Sequence, residues 1–292
     1  MDSLVRILNG LLMVAAPLAL GVFLARRLRV SWRLFFIGGV TFIASQVVHI
    51  PFNTLALAPA LDAAGLAQAE RGLPLILLAL AYGLSAGVFE EGARFLVYRF
   101  WIKDARRWKD GVMFGAGHGG AEAIILGALA LYAFFQLTAL RNVDLASVLP
   151  AEQVELGRAQ VEAYWAAPWY LALAGAVERV LALCVQTSLG VLVLQAFIRR
   201  NPIWLGGAIA WHAVVDALAV VGVVRGWPVY AIEGIVAITA VLSVAAILVL
   251  KPKEEAAPAE PLGRAPAPMS PREEEPLGEV PPERLDDSRY TG

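Results

Sequence analysis

The chain has 292 residues, 59% of them hydrophobic, a mean hydropathy of +0.64 and a formal net charge of −1. Soluble domains are roughly 45–50% apolar, so an ordinary soluble domain is excluded. The near-neutral charge gives no footing for nucleic acid, and a single cysteine, Cys184, excludes a disulfide framework.

In chain order, long apolar runs alternate with short polar joints. A bilayer core of about 30 Å needs about 20 apolar residues per helix. Seven spans meet that need, at roughly 4–25, 34–52, 72–100, 111–139, 168–198, 203–224 and 228–250. The first has Arg26, Arg27 and Arg29 after its apolar run and only Arg6 before it, the pattern of a signal anchor or first span and not of a cleaved signal peptide. The fold class is therefore all-α, a polytopic membrane helix bundle filling residues 1–250.

The joints after spans one, three, five and seven are basic: Arg26, Arg27, Arg29 and Arg33; Lys103, Arg106, Arg107 and Lys109; Arg199 and Arg200; Lys251 and Lys253. The intervening joints are poor in bases. Basic loops stay cytoplasmic, which predicts an N-terminus outside and a C-terminus inside. The mixed segment 140–167 predicts a short interfacial helix, with Trp165 and Trp169 at headgroup level. Residues 251–292 hold nine prolines, ten acids and six bases. That composition predicts a disordered cytoplasmic tail.

Glu90, Glu91, Arg94, His118, Glu122, Glu178, Arg179, His212 and Asp216 all fall inside the spans. At about 2.5–3.5 kcal/mol each on insertion scales, facing lipid separately would cost on the order of 20 kcal/mol. A whole domain is stable by about 5–15 kcal/mol. The residues must therefore face one another or a water-filled cavity. Glu90 with Arg94, His118 with Glu122, and His212 with Asp216 are each spaced i, i+4 and share a helix face. Counted at 1.5 Å per residue from the basic joints, Glu90, His118 and His212 fall at one level, on the cytoplasmic side of the midplane.

Gly115-Ala116-Gly117-His118-Gly119-Gly120 matches the dinucleotide fingerprint formally. No strand precedes it, so that reading fails. Small residues in a membrane helix permit close backbone packing, and here would also leave room for a substrate backbone beside His118. Each polar feature has a structural alternative: an ion pair locking helices for Glu90, Glu91 and Arg94, and a satisfied interhelical bond for His118 or for His212 with Asp216. Glu178 and Arg179, nearer the outer side, suit ion pairing or substrate gating, and Gln186 shares roughly their face. His49 and Glu233, near the outer boundary, read as structural.

Glu90-Glu91-x-x-Arg94, Phe114-x-x-x-His118 and His212-x-x-x-Asp216 resemble the three motifs of the glutamic intramembrane proteases, the superfamily of CAAX-prenyl endopeptidases, CPBP proteins and PrsW. His49-Ile50-Pro51-Phe52-Asn53, the GAGHGGAEA stretch and Glu178-Arg179 resemble more closely the YhfC family of intramembrane proteases, over roughly residues 5–250. CPBP proteins usually space the first motif's basic residue one position further on. PrsW has Lys in that motif and Glu where His118 stands, and YhfC-like chains often carry His in place of Gln186.

The resemblance implies an intramembrane endopeptidase of a prokaryotic plasma membrane, acting on membrane-associated peptides. Glu90 would activate water. His118 would hold the water or share the base role. His212 would donate to the oxyanion, with Asp216 fixing its tautomer. Glu91 and Arg94 would support these groups, and Glu122 would orient His118. No cofactor is needed for this chemistry. The same atoms allow an alternative, because His118, His212 and Glu90 form a ligand set known from zinc hydrolases, although no His-Glu-x-x-His is present. Buried Glu, Arg and His also serve proton-coupled transporters, against which the lack of repeated halves argues. A non-catalytic scaffold or immunity-type protein is the remaining class.

Overall fold

The computed structural model describes residues 2–252. The expected disordered tail lies outside the described residues from position 253 onward.

Nine α-helices follow one another among the described residues: α1 (Asp2–Leu28), α2 (Trp32–Phe52), α3 (Ala58–Ala63), α4 (Gly72–Phe100), α5 (Trp108–Leu140), α6 (Ala151–Ala166), α7 (Ala174–Ile198), α8 (Ile203–Val224) and α9 (Val229–Val249). There is no strand among the described residues. Among the described residues, seven helical stretches of 21–33 residues are long and apolar enough to cross a membrane. Their outward faces carry Val47, Leu73, Phe135, Val241 and Val249, all more than 60% exposed. Such a surface suits lipid and not water.

The second span runs beyond its predicted end at residue 52. Pro51 reads as a stop, since proline lacks the N–H that continues a helix. The chain instead passes through a π-turn at Asn53–Leu57 into α3. Wider turns of this kind re-satisfy the carbonyls that a proline frees inside a membrane helix.

The expected interfacial helix is α6. Trp165 is held by protein: its indole N–H donates to the Leu137 carbonyl at 3.2 Å, and Arg141 lies 4.2 Å from its ring centre. Arg6 of α1 stacks on Tyr164 at 4.3 Å and donates to the Ala167 carbonyl at 3.0 Å. Trp169, 51% exposed, is the tryptophan left free to meet a headgroup layer.

Two helix crossings place the site. α2 meets α5 where Gly38 lies against the Phe114 carbonyl and Gly117 against the Phe35 carbonyl, so close that a methyl at either position would overlap backbone. α4 meets α8 in the same way through Gly83 and Gly87, where a methyl on Gly87 would sit 2.7 Å from the Ile209 carbonyl oxygen. Such crossings bring the bases of polar side chains close enough for short hydrogen bonds between helices.

The room expected beside His118 is absent. Gly115 packs on Thr187, Gly119 on Gln186, and Gly117 and Gly120 on Phe35. The glycines of this stretch seat α2 and α7, and that packing uses up the space.

Candidate active site

Glu90 is one turn past the α4–α8 crossing, and the side chains around it come from α2, α5 and α7. Its Oε2 lies 3.0 Å from His118 Nε2, and its Oε1 accepts from Gln46 Nε2 at 2.9 Å. The Gln186 amide points at Oε2 from 3.5 Å, and Arg94 Nη2 stands 4.0 Å from that oxygen. Four N–H-bearing groups thus surround one buried carboxyl. His118 has no exposed surface, and its imidazole makes a T-shaped contact with the Phe42 ring at 5.3 Å between ring centres.

The expected Glu90–Arg94 pair is present at 4.0 Å, but Glu91 is the arginine's closer partner. Arg94 Nη1 donates to both Glu91 oxygens, at 2.6 and 2.8 Å, and both side chains are fully buried. The oxygens of Glu90 are already engaged by Gln46 and His118, so the arginine turns to the neighbour at i, i+3. Its other nitrogen donates to the Gln186 side-chain carbonyl.

Asp216 does not fix His212 as the i, i+4 spacing suggests. Glu91 takes that position, with its Oε1 2.8 Å from His212 Nδ1. Asp216 Oδ2 stands 3.6 Å from Nε2, beyond hydrogen-bonding reach. Asp216 lies a turn further along α8 with its side chain 41% exposed, whereas Glu91 is aimed at α8 from the close crossing.

Glu122 is likewise not the partner of His118. It accepts from Arg179 Nη1 at 2.5 Å and from Gln186 Nε2 at 2.9 Å. Arg179 also reaches Glu178 at 2.5 Å. Gln186 therefore joins two carboxyls, Glu90 and Glu122, to Arg94. An amide can do this because it both donates and accepts.

The structure brings Glu90, His118, Glu91, Arg94 and His212 into one hydrogen-bonded cluster, with Glu122, Glu178 and Arg179 joined through Gln186. Asp216 alone stands beside it unbonded. Sequence reasoning missed Gln46, and placed His49 at the periphery. His49 in fact binds Gln46 at 3.3 Å and stacks on Phe89. Neutral amides cost little in a span, so hydropathy raises no signal for Gln46. The available signal was its spacing of three residues from His49 on one face.

Beyond the Gly38–Gly117 crossing α2 and α5 diverge. Between them lies a cleft of about 580 Å³, walled by apolar residues such as Ile43, Val47, Ile125 and Leu129. Its polar lining among the described residues is Gln46, Glu90 and Glu122.

A zinc ion would need three or four lone-pair donors converging on one point. Glu90 and His118 offer two ligand atoms at one point, but the groups completing that point are the Gln186 amide and the Arg94 guanidinium. The nitrogens they turn to that point are N–H donors with no lone pair to give, and the Gln186 carbonyl is taken by Arg94. His212 is held on Glu91. No three His, Cys, Asp or Glu side chains converge as a ligand set among the described residues. The arrangement fits a carboxylate held by N–H donors and does not fit a bound cation.

Fold and site together define the class: an integral, multi-pass helical membrane protein with a buried glutamate–histidine centre at the foot of an apolar cleft. The family model described as "YhfC intramembrane metalloprotease" matches residues 11–246, and the chain belongs to the YhfC family. It is 34% identical over 253 residues to a Bacillus subtilis protein described as "Uncharacterized membrane protein YhfC", with 81% of this chain and 92% of that protein covered. No solved structure matches the chain significantly.

Proposed function

We propose that the chain is an intramembrane endopeptidase in which Glu90 activates water against a peptide bond presented in the α2–α5 cleft. The observation that carries this is the 3.0 Å contact of Glu90 with His118 at the foot of a largely apolar cleft. The two side chains would share the proton taken from water. His212, whose Nδ1–H donates to Glu91, would as the imidazolium carry a second N–H, on Nε2, to donate to the oxyanion that forms. Arg94 holds Glu91, and Gln186 spaces Glu90 from Glu122. Asp216, unbonded to His212, acts at most on the field around Nε2. Substrates are membrane proteins or membrane-associated peptides, since the cleft is walled mainly by apolar side chains around Gln46, Glu90 and Glu122, and no nucleic acid is involved. The setting is a prokaryotic plasma membrane with the N-terminus outside.

This chemistry needs no cofactor. The family description favours a second reading, a zinc enzyme with His118, His212 and Glu90 as ligands. That reading requires His212 to leave Glu91 and Arg94 to withdraw from Glu90. The chain purified in detergent separates the alternatives. Cleavage of a membrane-spanning peptide library that survives chelation, in protein free of bound metal, supports the glutamate mechanism. Loss on chelation with recovery on added zinc supports the metal mechanism. Solute uptake into liposomes without cleavage would replace both with transport, and neither cleavage nor uptake would leave a scaffold or immunity role. Glu90→Gln followed by mass spectrometry of retained proteins identifies the substrate.

A further inference from the structure

His49, Asn53 and Ser85 have no part in the proposed chemistry, yet they form a continuous chain of hydrogen bonds that ends on Glu90. Ser85 Oγ of α4 lies 2.7 Å from Asn53 Oδ1, Asn53 Nδ2 lies 3.0 Å from His49 Nε2, His49 Nδ1 lies 3.3 Å from Gln46 Oε1, and Gln46 Nε2 lies 2.9 Å from Glu90 Oε1. Ser85 and His49 are buried, and Phe89, next to Glu90 in sequence, stacks on the His49 ring at 5.3 Å.

The direction of the chain is set from its Glu90 end. A carboxylate can only accept, so the Gln46 amide must turn its NH₂ to Glu90 and its carbonyl to His49. His49 must then donate from Nδ1, which leaves the Nε2 lone pair to accept from Asn53. The Asn53 carbonyl, turned the other way, accepts from Ser85. With His49 neutral, reversing Gln46, His49 or Asn53 sets two acceptors or two donors against each other, so each of these links fixes the next, and the Ser85 hydroxyl follows because it can donate or accept.

Local structure supports this role. The outer end of α2 is held off a regular helix by Pro51 and the π-turn beginning at Asn53. That turn aims Asn53 at both His49 and Ser85. Single π-turns of this kind frequently mark functional sites.

We infer that Gln46, His49, Asn53 and Ser85 form a one-way positioning relay that fixes Glu90 Oε1 as acceptor and leaves Oε2 to His118 and the incoming water. None of the relay residues beyond Gln46 touches the reacting atoms; they act through Glu90. The inference rests on the peptidase reading for its kinetic consequence but not for its wiring.

The test uses two readouts on the full chain. The protein has three histidines, so ring-¹⁵N histidine labelling in detergent or bilayers yields three imidazoles, and His49→Phe identifies the one that matters. The expected His49 signal is the Nδ1–H tautomer, the minor form of free imidazole. Asn53→Leu, which breaks the relay away from the cleft, should collapse that preference. It should also lower kcat on a quenched membrane-spanning peptide library by about 10-fold, the low end for an outer-shell partner, with KM unchanged. Gln46→Leu should lower kcat by about 10–100-fold. An Nε2–H tautomer in the unmodified chain overturns the relay. So does an unchanged kcat in both variants when their His118 and His212 signals match those of the unmodified chain. If the unmodified chain cleaves nothing, the peptidase reading fails and the tautomer alone decides the wiring.

Discussion

Glu90 meets two demands that oppose each other. A water-activating carboxylate must be ionised when substrate arrives, yet a buried charge is costly without compensation. Compensation comes from Gln46, His118, Gln186 and, more distantly, Arg94, while Glu91 takes most of the arginine. The adjacent glutamates therefore differ in task, and their substitutions should differ in kind. Glu90→Gln keeps the volume and, with its carbonyl on Gln46 and its NH₂ turned to the His118 Nε2 lone pair, two of the hydrogen bonds. It should leave thermal unfolding near that of the unmodified chain and lower cleavage by about 10²–10⁴-fold, the span of a general base. Equal cleavage rates for the two proteins in a discontinuous peptide assay would remove Glu90 from the chemistry. Glu91→Gln strips the fully buried Arg94 guanidinium of its counter-charge. It should cost about 3–5 kcal/mol of stability, read from denaturant unfolding in mixed micelles, because one partner of a buried pair is left charged. A loss below about 1 kcal/mol would show that water or Gln186 compensates Arg94.

At the scale of helices, the α2–α5 crossing decides whether a cleft exists at all. The helices touch at Gly38 and Gly117 and separate beyond, so the crossing sets the angle at which Glu90 is uncovered. Gly38→Val would drive a branched side chain into the Phe114 carbonyl and the His118 amide. The expected result is a loss of about 1–3 kcal/mol from overpacking, with cleavage reduced beyond what unfolding explains, because His118 shifts with its helix. Gly206→Val, at a glycine with nothing near its Cβ direction, is the control and should change neither. The sequence made the spans legible because about 20 apolar residues are needed for each crossing and few soluble patterns imitate that. It made the charged cluster legible because charge inside a span is expensive. It did not reveal which carboxyl orients His212. The i, i+4 rule ranks neighbours on one helix, whereas the crossing of α4 and α8 delivers Glu91 from another. Nor did it reveal Gln46 or the continuation past Pro51, since an amide and a π-turn leave no mark on hydropathy.

For the whole molecule, the arrangement of its ends supports a definite sidedness. Four basic joints gather at one end of the bundle. Arg33, after α1, pairs with Asp104, after α4, at 3.2 Å, and Lys109 donates to the Leu28 carbonyl at 3.1 Å. Arg106 lies 4.8 Å from the Phe197 ring near the end of α7, and Lys251 lies 5.8 Å from the ring of Trp108. Two of these bases occupy left-handed backbone positions, Arg29 at φ 50° and Arg200 at φ 51°, where glycine would avoid a cost of about 1–2 kcal/mol. A local propensity is thus overridden at the end where charge accumulates, which fits a topological role for those charges. Positive loops are retained in the cytoplasm, so this end should face inward, and Glu90, His118 and His212 should lie on that side of the midplane. Cys184 is the one cysteine, so Cys184→Ser provides a thiol-free background. In intact cells an impermeant maleimide should label Glu70→Cys, at the opposite end, and leave Lys103→Cys unlabelled until the membrane is opened. Both native positions are exposed, so access and not burial governs the result. The inverse labelling would turn the molecule over and move the proposed cleavage level to the outer half of the bilayer. The same pair made in Glu90→Gln should label identically, because orientation is set by the joints and not by the site.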